Sequence, residues 1–142
     1  MTSQIIYKTK LRTEATHIQS GTTIETDAPT DNQGNGERFS PTDLVATALA
    51  TCMVTTMGIK AQSMGIALDG TTAEATKIMV SDPRRIGKII VHIKFPESLQ
   101  LDEKTKEMLE KVARTCPVER TLHPDVELDF SFTWPALFVV PA

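Results

Sequence analysis

The chain has 142 residues, 40% of them hydrophobic, a net charge of −3 and two cysteines. That length and apolar content suit a single domain, expected to span 1–142, and the absence of any long run of one charge argues against nucleic acid or an anionic membrane as partner. The segment Met1-Thr-Ser-Gln-Ile-Ile-Tyr7-Lys8 lacks the apolar core of a signal peptide. No stretch approaches the roughly 18 apolar residues of a membrane span, so a cytoplasmic protein is expected. From Gln4 to Glu25 the pattern is strand-like and rich in β-branched residues, with a hairpin turn expected at Gln19-Ser20-Gly21. The segment from Asp27 to Gly36 is dense in turn formers and reads as a surface loop.

A helix start follows. Ser40 suits the N-cap, Pro41 the first helical position and Asp43 the third position of a capping box. In the run to about Met57, Leu44, Ala48 and Cys52 share one i, i+4 row, and Val45, Leu49 and Met53 the next. Apolar or small residues cover most of its circumference, which predicts a buried central helix, stopping at Gly58 or Gly65. A strand is expected over 71–80, a turn over Ser81–Arg85 and a strand over Ile86–Phe95, with Ile89, Val91, Ile93 and Phe95 on one face. Asp102 caps a second helix through Thr115, whose inner face holds Leu101, Met108, Leu109, Val112 and Ala113. Cys116 continues that face, and Pro117 restarts a short helical turn to about Leu122. In the last strand Val126, Leu128, Phe130, Phe132 and Trp134 alternate with polar residues. Strands, helix, strands, helix and strand in that order predict an α+β fold with antiparallel sheets, not a doubly wound one.

Two thiols 64 positions apart, without zinc spacing, are either two small buried apolar residues or a reactive pair. In a reducing cytosol any bond between them is transient. Cys52 lies twelve residues past the proposed N-cap, roughly 18 Å along the axis, so the helix dipole cannot make it a thiolate. A basic side chain from another segment would have to do so. Cys116, followed by Pro117, resembles an N-cap, where backbone N–H groups modestly favour a thiolate. His17, His92 and His123 share no metal-like spacing and read as exposed strand or loop residues, with His17 able to line the same pocket as Arg12. Arg84 and Arg85 decorate a turn. Met53, Met57 and Met64 read as core or interface contacts, which would also suit a fatty or aromatic ligand.

Phe39-Ser-Pro-Thr-Asp-Leu44 with a Cys nine residues after the Asp, and later Cys116-Pro-Val, resemble the OsmC/Ohr family of osmotically inducible and organic hydroperoxide resistance proteins. The likeness extends over essentially the whole chain. It implies an OsmC-like α+β fold, with antiparallel sheets around central helices in an intertwined homodimer whose active sites lie at the interface. It also implies a thiol peroxidase without metal or organic cofactor. Cys52 would be the peroxidatic thiolate attacking an organic hydroperoxide, Cys116 the resolving thiol, and a lipoyl-type or other dithiol the reductant. The family's activating Arg corresponds to Arg12 or to Arg38. Its acid directly follows the helix Pro, where this chain has Thr42 and displaces the acid to Asp43, so that Asp43 is either a capping or a catalytic residue. That displacement keeps a second reading open: a non-catalytic OsmC-like protein that binds a small hydrophobic ligand at the dimer interface.

Overall fold

The structure, a computed structural model, describes residues 1–138 and comprises two compact units, Met1–Val45 and the chain from Ala46 onward. In the first unit β1 (Ser3–Tyr7), β2 (Arg12–His17) and β3 (Thr23–Asp27) form an antiparallel meander in sequence order. The expected turn is present, with Gly21 at φ 76°, a conformation that costs glycine nothing. The strand-like pattern hid an earlier turn at residues 8–11, where Lys10 and Leu11 take positive φ. After a 3-10 turn (Thr30–Asn32) the backbone folds back so tightly that a Cβ on Gly34 would meet the Ala28 carbonyl.

Helix α1 (Pro41–Ser63) starts where the sequence predicts. Ser40 Oγ accepts from the Asp43 N–H at 3.0 Å, and Asp43 Oδ2 accepts from the Ser40 N–H at 2.9 Å, a closed capping box. The helix passes through Gly58 and stops at Gly65, which sits at φ 71° while the Ile66 N–H reaches back to the Ala61 carbonyl at 2.9 Å. That is a Schellman stop, and it needs a residue tolerant of left-handed backbone. Contrary to the expectation that no segment approaches a membrane span, this 23-residue helix is long and apolar enough on average to cross one. The averaging explains the difference: threonines interrupt the apolar run, but no charged residue lies between Asp43 and Lys60. Ala46, Leu49, Ala50, Met53, Met57 and Ala61 are nevertheless buried within the protein, as a core helix requires.

In the second unit β4 (Thr72–Val80), β5 (Arg85–Lys94) and β6 (Glu127–Thr133) form one sheet in that order. The β4–β5 hairpin is antiparallel. β5 and β6 are parallel, so the sheet is mixed and the expectation of purely antiparallel sheets is corrected. The chain between them carries α2 (Glu103–Ala113) and α3 (Pro117–Thr121), and such a helical crossover returns the next strand in the same direction. The parallel register pairs Ile89 with Leu128, Val91 with Phe130 and Ile93 with Phe132, which places all six on the face that joins the core. The opposite face pairs Lys88 with Glu127 and His92 with Ser131. Leu49, Met53 and Met57 of α1, the β5 row, and Leu109 and Ala113 of α2 are almost fully buried together. α2 is capped by Asp102, whose carboxylate accepts from the Thr105 N–H at 2.8 Å, and ends two residues before the expected Thr115.

Candidate functional site

Cys52 projects from α1 one position before the buried Met53 and is half-buried at the margin of the core. Cys116 is fully buried. Its backbone is extended (φ −67°, ψ 144°), the conformation that a following proline imposes, and it is the N-cap of α3. Pro117 has no N–H to satisfy at the first helical position, and Cys116 Sγ accepts from the Glu119 N–H at 3.4 Å. The crossover from α2 thus delivers Cys116 to the core against which Cys52 of α1 packs, and Cys52 is one of the groups that push the Cys116 thiol up. Both are free thiols.

The capping N–H of Glu119 does favour a Cys116 thiolate, as expected, but other influences outweigh it. Burial pushes the Cys116 thiol up, more than the Glu119 N–H draws it down, and the Cys52 and Glu119 side chains add to the upward push. At neutral pH Cys116 is therefore a thiol. Glu119 is a residue the sequence reading missed. One of its carboxyl oxygens is buried without a hydrogen-bond partner, and burial raises its pKa against the opposing pull of Arg114 and Arg120. The only signal was an acid three residues after a capping cysteine. Arg114 itself lies over the rings of Phe130 and Phe132, 5.2 and 5.8 Å from their centroids.

The other predicted site residues belong to the first unit. Arg12 and Asp27 are directly opposed on β2 and β3. The guanidinium grips the fully buried Asp27 carboxylate with two bonds of 2.7 and 2.8 Å and reaches Glu37 at 3.3 Å. The hydrogen bond from Arg12 is the main cause holding the Asp27 carboxyl below its usual range. Arg38 pairs with Glu25 at 3.3 Å, and Glu25 also faces Lys8 at 3.5 Å. Asp43 closes the helix cap and lines a hollow of about 350 Å³ with Gly36, Glu37, Arg38 and Phe39. His17 bonds Ser20 at 2.6 Å, and His92 lies between Ser131 (2.7 Å) and Thr133 (3.1 Å).

The Asp27 pair has a sign that can be worked out. A carboxyl whose folded pKa is depressed stabilises the fold above its unfolded value of about 3.9 and loses that contribution as pH falls through the folded value. The thermal stability of the wild type is therefore expected to fall below about pH 4. Asp27→Asn should melt several degrees lower at pH 7 and show a shallower acid limb. Parallel acid limbs in the two proteins would show that Asp27 does not carry this dependence.

Residues 34–131 match the family model for OsmC-like protein. Among solved structures, a candidate osmotic stress induced and detoxification response protein from Psychrobacter arcticus 273-4 is 50% identical. The match covers 93% of this chain and 95% of that one, with a TM-score of 0.88. An OsmC-like protein from Mycoplasma pneumoniae is 18% identical over 94% of this chain and 96% of that one, with a TM-score of 0.77. An organic hydroperoxide resistance protein from Legionella pneumophila is 16% identical over 94% and 97%, at a TM-score of 0.72. The last two likenesses concern the fold. No curated protein sequence matches the chain.

Proposed function

Because the chain belongs to the family of OsmC-like proteins, we propose that it is a thiol-dependent peroxidase that reduces organic hydroperoxides through Cys52 and Cys116. The observation that carries this reading is the asymmetry of the two adjacent thiols. Cys52 is partly open to solvent, while Cys116 is fully buried and kept protonated by that burial. An accessible sulfur suits attack on a peroxide, and a protected one suits the later attack on the oxidised partner. The Cys52 thiolate would attack the distal peroxide oxygen, release an alcohol and become a sulfenic acid. Cys116 would then displace water to form a disulfide, which a lipoyl-type or other dithiol would reduce. The apolar residues around the pair favour a fatty or aromatic hydroperoxide over hydrogen peroxide. Names borne by relatives, detoxification response and organic hydroperoxide resistance, point the same way.

The test is a thiol-coupled assay with cumene hydroperoxide on wild type and Cys52→Ser. The wild type is expected to consume peroxide, and the variant to fall to the rate of the free thiol alone. Equal slow rates in both would favour the second reading, a non-catalytic protein that holds a hydrophobic ligand. One feature favours that alternative: Asp43, where the family places its acid one residue earlier, is engaged as a helix cap.

The same proposal includes a homodimer. Ile5, Ile6 and Tyr7 of β1 and Ile59 of α1 are each about 60% exposed or more, apolar surface that isolated soluble domains cover. Sedimentation at micromolar concentration is expected to give twice the 15.6 kDa chain mass. A stable folded monomer would contradict it.

A further inference from the structure

Glu119 stands one helical turn beyond Cys116, with its N–H on the Cys116 sulfur and one carboxyl oxygen buried without a partner. An unpartnered buried carboxyl oxygen costs stability, and on a residue whose N–H holds a buried thiol it is left able to take a transient partner. Cys116 needs one, because a protonated thiol is a poor nucleophile. We propose that Glu119 is the proton acceptor of Cys116 when that thiol attacks an oxidised Cys52.

The proposal deepens the thiol-pair reading and rests on it. Cys116 gives its proton to the Glu119 carboxylate, and its sulfur electron pair forms the bond to the Cys52 sulfur. The S–O bond of the Cys52 sulfenic acid breaks, and the departing hydroxide takes the proton back from Glu119 and leaves as water. Over both steps two thiols and one hydroperoxide become one disulfide, one alcohol and one water. The charged groups facing Glu119 are Arg114 at the end of α2 and Arg120 on α3, which favour its carboxylate against burial. Cys116 is the ionisable thiol on which its charge acts, and Cys52 of α1 acts on that same thiol. Burial raises the carboxyl's pKa above its ordinary value, which makes its carboxylate a better proton acceptor.

The test avoids peroxide, so that it stands apart from the reading beneath it. Ellman's reagent on the reduced full-length protein labels Cys52, the more exposed thiol, as a mixed disulfide with thionitrobenzoate. Attack by Cys116 then releases a second thionitrobenzoate in a first-order step. The wild-type release rate is expected to be flat across neutral pH and to fall on the acid side as Glu119 protonates. In Glu119→Gln it should be slower at pH 7 by roughly 10²-fold and rise about tenfold per pH unit, with Glu119→Asp in between. A bystander charge predicts the opposite sign: the negative Glu119 pushes the Cys116 thiol up, so its removal would speed release. Release in Glu119→Gln at or above the wild-type rate overturns the proposal, as does a wild type that releases no second equivalent. If Glu119→Gln does not fold, the wild-type profile decides, and a tenfold rise per pH unit throughout excludes the carboxylate. A chain that reduces no hydroperoxide yet shows the loss in Glu119→Gln keeps the role of Glu119 and gives up the peroxidase reading alone.

Discussion

In Cys116→Ser, one equivalent of cumene hydroperoxide is expected to oxidise Cys52 and leave it as a sulfenic acid that dimedone traps. In the proposed cycle the buried Cys116 thiol would intercept that species in the wild type before solvent nucleophiles reach it. A serine hydroxyl cannot form the bond, so with further peroxide Cys52 should run on to sulfinic acid and the protein should inactivate. Turnover with a dithiol should drop sharply, because only direct reduction of the sulfenic acid is left. The first oxidation should keep its rate, since in the proposed cycle Cys116 would take no part in attack on the peroxide. Intact mass separates the outcomes: a dimedone adduct in the variant, and a loss of two hydrogens in the wild type. Unchanged turnover and no adduct in the variant would mean that Cys116 is a core residue only.

Leu49→Ala is expected to cost about 2–5 kcal/mol of stability, a large part of the roughly 5–15 kcal/mol typical of a domain. Leu49 is completely buried and shares its helical row with Met53 and Met57, in the cluster formed with the β5 residues Ile89, Val91 and Ile93. Rigid sheet residues on one side limit how far the cavity can collapse, which favours the upper half of that range. Urea unfolding should show a lower midpoint at an unchanged slope. Cys52 belongs to the same helix, so the variant should also loosen the thiol pair and quicken alkylation of Cys116. A wild-type midpoint in Leu49→Ala would mean that α1 is not the centre of the core.

Local chemistry was the legible part of the chain. Ser40, Pro41 and Asp43 marked the start of α1 because capping depends on residues three positions apart. The alternation of β6 and of Ile89, Val91, Ile93 and Phe95 marked faces that the core covers. Strand direction was not legible from that alternation, since a parallel and an antiparallel strand show the same period of two. The parallel β5–β6 pair follows instead from the two-helix crossover between them. The site divides in the same way. Cys52 and Cys116 could be singled out as rare, chemically capable residues, and Cys116-Pro117 as a helix cap. The engagement of Arg12 with Asp27 depends on the register of β2 against β3, which the turn before Thr23 sets and which no spacing rule displays. Glu119 was not singled out, because its burial comes from packing that composition does not reveal.

The central claim is that Cys52 and Cys116 form one redox unit, and the most direct measurement is peptide mapping after one equivalent of organic hydroperoxide. Digestion of the alkylated wild-type protein should yield a Cys52–Cys116 disulfide peptide within one chain, with both free thiols lost and both recovered by dithiothreitol. Such a bond requires the two Cα atoms to approach within roughly 7 Å. If both thiols persist after the peroxide is added, or if Cys52 oxidises while Cys116 stays free and no linked peptide forms, the two-cysteine account is wrong.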